Sequence, residues 1–275
     1  MPHAKKRLGQ HFLSDPGILG RIAAALQSEP GDTVLEIGPG PGGLTAHLVT
    51  RAGRLVAIEK DRDLVPALTE RFSNVTIVEG DALELDWHAL TGDGPRRITG
   101  NIPYNITSPL LEQALQPPRP ACIVFLVQKE VAERVAAPPG GSDYGALSVG
   151  IQSVARVERL FTVGAGAFRP RPKVDSAVLR LRPLAEPLIA DADVLRFRRF
   201  VVGLFGFRRK QLLRGLRELT DQPAPTVSGW IAAAGLGETQ RPQELSPAEF
   251  ARLFGVVRGE PSAGSHQPTA VSLEP

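Results

Sequence analysis

The residues with the most chemical content are Asn101-Ile102-Pro103-Tyr104. An asparagine amide oxygen and a carbonyl held in place by the following proline are two acceptors side by side, and Tyr104 adds an aromatic face. Two acceptors match the two N–H protons of an exocyclic amine, and an aromatic ring stacks on the base that carries it. Taken alone, the tetrapeptide reads first as an Asn/Pro turn with a packed tyrosine. Its meaning depends on what precedes it. Three carboxylates, Glu36, Glu59 and Asp81, close or follow apolar runs upstream, so acids recur where strands end.

The first of these acids sits inside Val34-Leu35-Glu36-Ile37-Gly38-Pro39-Gly40-Pro41-Gly42-Gly43-Leu44-Thr45. A β-branched apolar run stops at Gly38 and a helical pattern starts after Gly43, which reads as the first strand–loop–helix turn of an open parallel sheet. Gly38, Gly40 and Gly43 fit G-x-G-x-x-G, and Glu59 follows about twenty residues on, where an acid holds a ribose. A nicotinamide dinucleotide and S-adenosylmethionine both carry an adenosine that needs this acid. The frame E-x-G-x-G-x-G favours S-adenosylmethionine, because Glu36 suits an ammonium and a sulfonium and no pyrophosphate needs cradling. Asp81, with Ala82 after it, ends the third apolar run Val75–Val78 and can accept from the adenine amino group.

The elements that must position these residues alternate β and α. Strands are predicted at 55–58, 75–78, 97–100, 121–127, 157–163 and 174–182 in addition to the first. Helices are predicted near Leu64–Leu68, at 108–115 and from Gln128. A helix also starts at Ser14-Asp15-Pro16, where an N-cap precedes a proline. Pro138–Gly145 is proline- and glycine-rich and reads as a flexible flap over substrate. Phe168-Arg169-Pro170-Arg171-Pro172-Lys173-Val174 is stiffened by alternate prolines. Its Phe168 could cover the second face of a base stacked on Tyr104, with Arg169, Arg171 and Lys173 adding positive charge, and the segment reads equally as an extended inter-strand connection with solvated charges. From about residue 186 the pattern becomes helical, and 259–275 is Pro/Ser/Gly-rich and expected to be disordered.

Composition bounds the rest. The chain has 275 residues, 42% of them hydrophobic, enough for one large domain or one large plus one small. No apolar run approaches a membrane span. One cysteine, Cys122, allows neither a disulfide nor a zinc-ribbon site and fits a reducing cytoplasm; no metal is expected. Net charge is only +3, so its distribution matters more than its size. Residues 1–13 contain Lys5, Lys6 and Arg7 and no acid, and Arg196–Arg217 holds eight basic residues and no acid, among them Arg208, Arg209, Lys210 and Arg214. Such a stripe is an electrostatic footprint for phosphate backbone. A DNA adenine methyltransferase, a dehydrogenase or a non-catalytic binding factor are the competing readings. The first needs a larger recognition domain, the second leaves Asn101–Tyr104 unexplained, and the third predicts a broken site.

Lys6-x-x-Gly9-Gln10-His11-Phe12-Leu13, the E-I-G-P-G-x-G-x-L-T loop, Gly80-Asp81-Ala82, Asn101–Tyr104, Gln128–Arg134, F-x-P-x-P-K-V-D-S at 168–176 and Arg208-Arg209-Lys210 occur in unbroken order over residues 5–257. Together they resemble the ribosomal RNA small subunit methyltransferase A (KsgA) family of adenine N6-dimethyltransferases. The resemblance implies a Rossmann-like α/β catalytic domain (1–185) and a small all-helical RNA-binding domain (186–258). It implies dimethylation, from S-adenosylmethionine, of two adjacent adenines near the 3′ end of 16S rRNA in the small ribosomal subunit or its late precursor. It further implies a cofactor site of His11, Leu13, Gly38, Glu59, Asp81 and Asn101. Asn101, the Ile102 carbonyl, Tyr104 and Phe168 would hold the base. Position 102 is Ile where this family more often has Leu, and Gln211 stands where Thr is usual. Nothing in the sequence points beyond a monomer.

Overall fold

The computed structural model describes residue 5 and residues 8–92, 94 and 96–259. Lys6 and Arg7, expected to touch RNA, and residues 260–275 of the expected disordered tail lie outside the described residues. In chain order the elements are β1 (Phe12–Leu13), α1 (Pro16–Ala25), β2 (Thr33–Ile37), α2 (Thr45–Leu48), β3 (Arg54–Glu59), α3 (Val65–Arg71), β4 (Val75–Glu79), α4 (Trp87–Thr91) and β5 (Arg97–Asn101). They continue as α5 (Thr107–Ala114), β6 (Cys122–Gln128), α6 (Lys129–Ala136), α7 (Ala146–Gln152), β7 (Ala155–Val163), β8 (Phe168–Arg169) and β9 (Ser176–Pro183). Four helices complete the chain: α8 (Val194–Phe205), α9 (Leu212–Thr220), α10 (Ala224–Ala233) and α11 (Pro247–Gly259).

The main sheet runs β4-β3-β2-β5-β6-β9-β7. The first five strands are parallel, and β9 inserts antiparallel between β6 and β7. A doubly wound dinucleotide fold would continue with a parallel sixth strand; the reversed hairpin departs from it. Central strands such as β6 (Cys-Ile-Val-Phe-Leu-Val-Gln) are apolar on both faces because helices cover both. Two apolar clusters fill those faces, one with Leu35, Ile98 and Phe125, the other with Val34, Val124 and Phe168. The order of strands reverses between β2 and β5, and ligands bind at the carboxyl ends of strands beside such a switch. Glu36, Glu59 and Asn101 all stand there.

A third cluster gathers Phe197, Leu204, Leu216, Ile231 and Phe250 of the helical part. It also recruits Ala137, Tyr144 and Val149, from before residue 186. This overturns the flap expected at 138–145. The Tyr144 ring is buried and its hydroxyl donates to the Leu245 carbonyl at 2.8 Å, while the Gly140 N–H donates to the Gln243 carbonyl at 2.8 Å. Glycines and prolines predicted a mobile loop, but one buried tyrosine makes it a clasp between the sheet layer and the helices.

The sequence also gave no sign of a second, two-stranded sheet. The N-terminal arm enters as β1 and pairs antiparallel with β8, Phe12 opposite Arg169 and Leu13 opposite Phe168. Beyond that pairing the Ser14 N–H donates to the Ala167 carbonyl at 3.2 Å. The arm is therefore fastened beside the carboxyl edge of the main sheet.

Candidate active site

The cleft is lined by the arm (Gln10, His11, Phe12), the glycine loop, the ends of β3 and β4, and Asn101 to Ile106. Its floor depends on two close approaches. Gly100 stands so close to β2 that a Cβ there would lie 2.4 Å from the Ile37 carbonyl oxygen. Gly40 has φ +57°, and a Cβ on it would touch the Phe12 ring at 3.0 Å, so only glycine lets loop and arm close together.

Glu59 ends β3 with both carboxylate oxygens engaged. The Gly40 N–H donates to Oε2 at 2.9 Å and the Asp61 N–H to Oε1 at 2.8 Å. Burial raises its pKa, partly countered by those N–H donors. Held this way on the wall of the cleft, the carboxylate is fixed in place and keeps lone pairs free to accept further donors. Asp81 accepts from the Leu83 N–H at 3.0 Å and from the Lys60 ammonium. Burial pushes its pKa up, but these bonds outweigh it and the net direction is down, so Asp81 stays ionised as an acceptor. Ala82 lines the same wall, and its carbonyl takes the Trp87 indole N–H at 2.8 Å.

Glu36 is different. It faces a smaller recess shared with Leu13, Gly38, Gly40 and Asn101. It is fully buried, and its one side-chain donor is the Thr45 hydroxyl at 2.8 Å. Burial first, and the nearby Glu59 charge second, push its pKa up to about 8 despite the Thr45 bond. A group in this state is neutral at pH 7 and ionises when a cation arrives. An amino acid's ammonium is such a cation.

Asn101 ends β5 with its amide oriented by the arm: Nδ2 donates to the His11 carbonyl at 2.7 Å. With the NH2 engaged, Oδ1 is left as an acceptor. The Ile102 N–H donates to the Leu126 carbonyl at 3.0 Å, which extends sheet pairing one residue and fixes the peptide ahead of Pro103. The Tyr104 hydroxyl bonds the Ser176 hydroxyl at 2.8 Å, and burial raises the phenol pKa, keeping it neutral. The His11 ring stacks on Tyr104, centroids 5.5 Å apart, while its Nδ1 donates to the Pro170 carbonyl at 2.8 Å. Gln10, Thr45, Lys60, Asp61 and Ser176 were not read from the sequence as site residues. Thr45 carried a signal as the last position of the glycine motif, and Gln10 and Ser176 stood in quoted motifs without a role assigned to them.

Phe168 does not join this wall. Its side chain has no exposed surface and packs in the apolar cluster that contains Leu13 and Val178. The β1–β8 pairing sets Phe168 opposite Leu13 and turns the ring inward, so the expected second stacking face is a core residue instead. The expected RNA contacts also divide. Arg169, Arg171 and Lys173 are exposed beside the cleft, Arg169 bonding the Gly166 carbonyl at 3.0 Å. Arg208 and Arg209 are exposed in the turn between α8 and α9. Lys210 pairs with Glu218, and Arg214 reaches the same carboxylate at 3.3 Å. Arg198 pairs with Glu112 of α5 at 2.6 Å. Lys5 turns inward to Asp61 and Asp63, so it is not the solvent-facing phosphate contact that an acid-free segment suggested.

Comparison with known proteins agrees with this geometry. Residues 1–257 match the family described as ribosomal RNA adenine dimethylase. The chain is 44% identical over 255 residues to ribosomal RNA small subunit methyltransferase A of Pseudomonas aeruginosa, covering 91% of this chain and 93% of the relative. It is also 44% identical to the protein of that name from Aromatoleum aromaticum, covering 92% and 94%. Among solved structures, a dimethyladenosine transferase from Plasmodium falciparum superposes with a TM-score of 0.76 at 27% identity, covering 88% of this chain and 96% of that one. The 23S rRNA methyltransferase ErmE gives 0.69 at 31%, covering 90% and 99%. The chain belongs to the ribosomal RNA adenine dimethylase family, and it is an S-adenosylmethionine-dependent methyltransferase that dimethylates adenine in ribosomal RNA.

Proposed function

We propose that the substrate is a pair of adjacent adenines near the 3′ end of 16S rRNA, presented by the small ribosomal subunit or its late precursor in the cytoplasm. The observation that carries the chemistry is the Asn101 amide, locked by the His11 carbonyl with its oxygen left to accept. The names of the relatives at 42–44% identity, all small subunit enzymes, support the choice of subunit. Residues 186–258 form the RNA-binding domain in this reading, with Arg208 and Arg209 at its exposed turn.

S-adenosylmethionine, when bound, supplies an electrophilic methyl on an already cationic sulfur. The chain's own work is on the nucleophile. The N6 lone pair of adenine is delocalised into the ring and must be localised before it can attack. Asn101 Oδ1 and the Ile102 carbonyl accept the two N6 protons, favour a pyramidal amine and stabilise the positive charge that grows on it. Tyr104, with its hydroxyl fixed by Ser176, replaces the stacking that the flipped base loses. The methylated nitrogen is acidic enough to release its proton to water, so no side-chain base is needed. Holding the base in line with the methyl contributes much of the acceleration. Glu59 orients the ribose, Asp81 the adenine amino group and Glu36 the ammonium of the cofactor.

The test is methyl transfer from labelled S-adenosylmethionine to small subunits that lack these methyls. The expected product is N6-dimethyladenine near the 16S 3′ end, with Asn101→Ala slower by about 10²–10³-fold. Label on 23S rRNA instead of the small subunit would overturn the choice of substrate. RNA binding without any transfer would overturn the assignment of the site.

A further inference from the structure

Lys5 is held by two carboxylates beside the cleft. Its ammonium bonds Asp61 and, at 2.5 Å, Asp63, both just past the end of β3. Gln10 ties the same acid from the other side: its Nε2 donates to Asp61 Oδ2 at 3.1 Å, and its Oε1 accepts the Lys5 backbone N–H at 2.7 Å. The Asp61 side chain is only 2% exposed, and the Asp61 N–H donates to Glu59. A continuous chain of bonds thus runs from the arm, through Asp61, to the acid that faces the ribose.

Between its two attachments the arm lies along the cleft, with Leu8 to Phe12 on its wall. The attachments differ in kind. Toward β1 the arm is fastened by backbone pairing to β8 and by the Ser14–Ala167 bond. Toward Lys5 it is fastened by charge, with Asp63 64% exposed. The Asp63 bond is open to water and the Lys5 side chain is itself 26% exposed, so this end is the weaker one, whereas the β1 pairing sits on the Phe168 core. The arm can therefore lift from its Lys5 end while the other end holds.

We propose that Lys5, Gln10, Asp61 and Asp63 form a latch that closes the N-terminal arm over bound S-adenosylmethionine and sets how fast spent cofactor leaves. The inference rests on the reading of the cleft as the cofactor site. Each methyl delivered to an adenine consumes one cofactor, so dimethylation requires repeated exchange. Every exchange then opens the latch. These four are positioning residues: they act through the arm and touch neither methyl nor base. Asp61 is ionised well below neutrality, because Lys5 and Gln10 outweigh its burial, so the latch does not depend on pH in the neutral range.

The test is dissociation of S-adenosylhomocysteine from the full chain with no RNA present, followed by steady-state kinetics. Lys5→Met and Asp63→Asn should each release it about tenfold faster. The KM for S-adenosylmethionine should rise in proportion, kcat at saturation should not fall, and Tm should hold. Lys5→Glu should release it faster still, and Asp63→Lys in that background should restore slow release, a rescue that a merely structural role would not give. Unchanged dissociation with a raised KM for rRNA overturns the latch and makes Lys5 a phosphate contact. A lowered Tm with every parameter falling together also overturns it. A wild-type chain that binds no S-adenosylhomocysteine sinks the reading of the cleft itself, whereas normal binding with unaltered variants sinks only the latch.

Discussion

In the cleft, Glu59 takes a backbone N–H on each oxygen and Asp81 is tied to Leu83 and Lys60. On the helical part, Arg208 and Arg209 extend into solvent from the turn between α8 and α9. In the proposed reading the two regions handle charge in opposite ways because their ligands differ. A small cofactor must be held to within a fraction of an ångström, so its acceptors are fixed by backbone donors before it arrives. A polyanion is bound by releasing counterions, which rewards cations that stay hydrated and adjustable. Even within the basic run the difference shows, since Lys210 and Arg214 share Glu218 and carry less uncompensated charge than Arg208 and Arg209.

The sharpest way to break the comparison is at the two aromatic residues once expected to do the same job. Phe168→Ala should destabilise the fold by about 3–5 kcal/mol, read by denaturant unfolding, because it empties a packed core. Tyr104→Ala should leave stability far less changed and cost about 1–3 kcal/mol in kcat/KM for RNA through lost stacking. If Phe168→Ala unfolds no more easily than wild type but loses turnover, the ring reaches the base after all and its assignment to the core is wrong.

A smaller effect separates fixed from free cations. Replacing both Arg208 and Arg209 with Ala should lower the slope of log K against log salt for RNA binding by about one per residue. Lys210→Ala should lower it less, because Glu218 already neutralises that ammonium. Equal slopes for all three positions would remove the distinction.

The smallest effect concerns Glu36. Its folded pKa of about 8 lies above the unfolded value, so the folded chain holds this proton more tightly. The stability it contributes is fully present below the ordinary carboxylate range and is lost as pH rises toward about 8. Glu36→Gln should flatten that decline in urea unfolding between about pH 5 and pH 8. In calorimetry near neutrality, cofactor binding to wild type should release a proton that the Gln variant does not release. No difference in either measurement would mean that Glu36 is ionised before the ligand arrives.

Much of the site was legible because it is built from local sequence. Glu36, Glu59 and Asn101 end strands whose apolar β-branched runs are unmistakable, and the glycine loop announces its own turn. What could not be read depends on partners far along the chain. Phe168 lies 155 residues from Leu13, its partner across the β1–β8 pair, and a two-residue strand has too little pattern to predict. Tyr144 clasps Leu245 from a stretch whose glycines and prolines signalled mobility. Lys5 stood in a segment without acids, yet its acids, Asp61 and Asp63, come from the end of β3.

The sequence by itself determined the parallel sheet, the glycine loop and the acids at its strand ends, because hydrophobic period and glycine content are properties of neighbouring residues. It also determined that positive charge gathers in 196–217. Only the tertiary structure decided which of those cations face water, which aromatic ring lines the cleft, and where the N-terminal arm lies. Each of these is an outcome of competition between a buried contact and a solvated one. That competition is settled only when distant segments meet and water leaves the space between them.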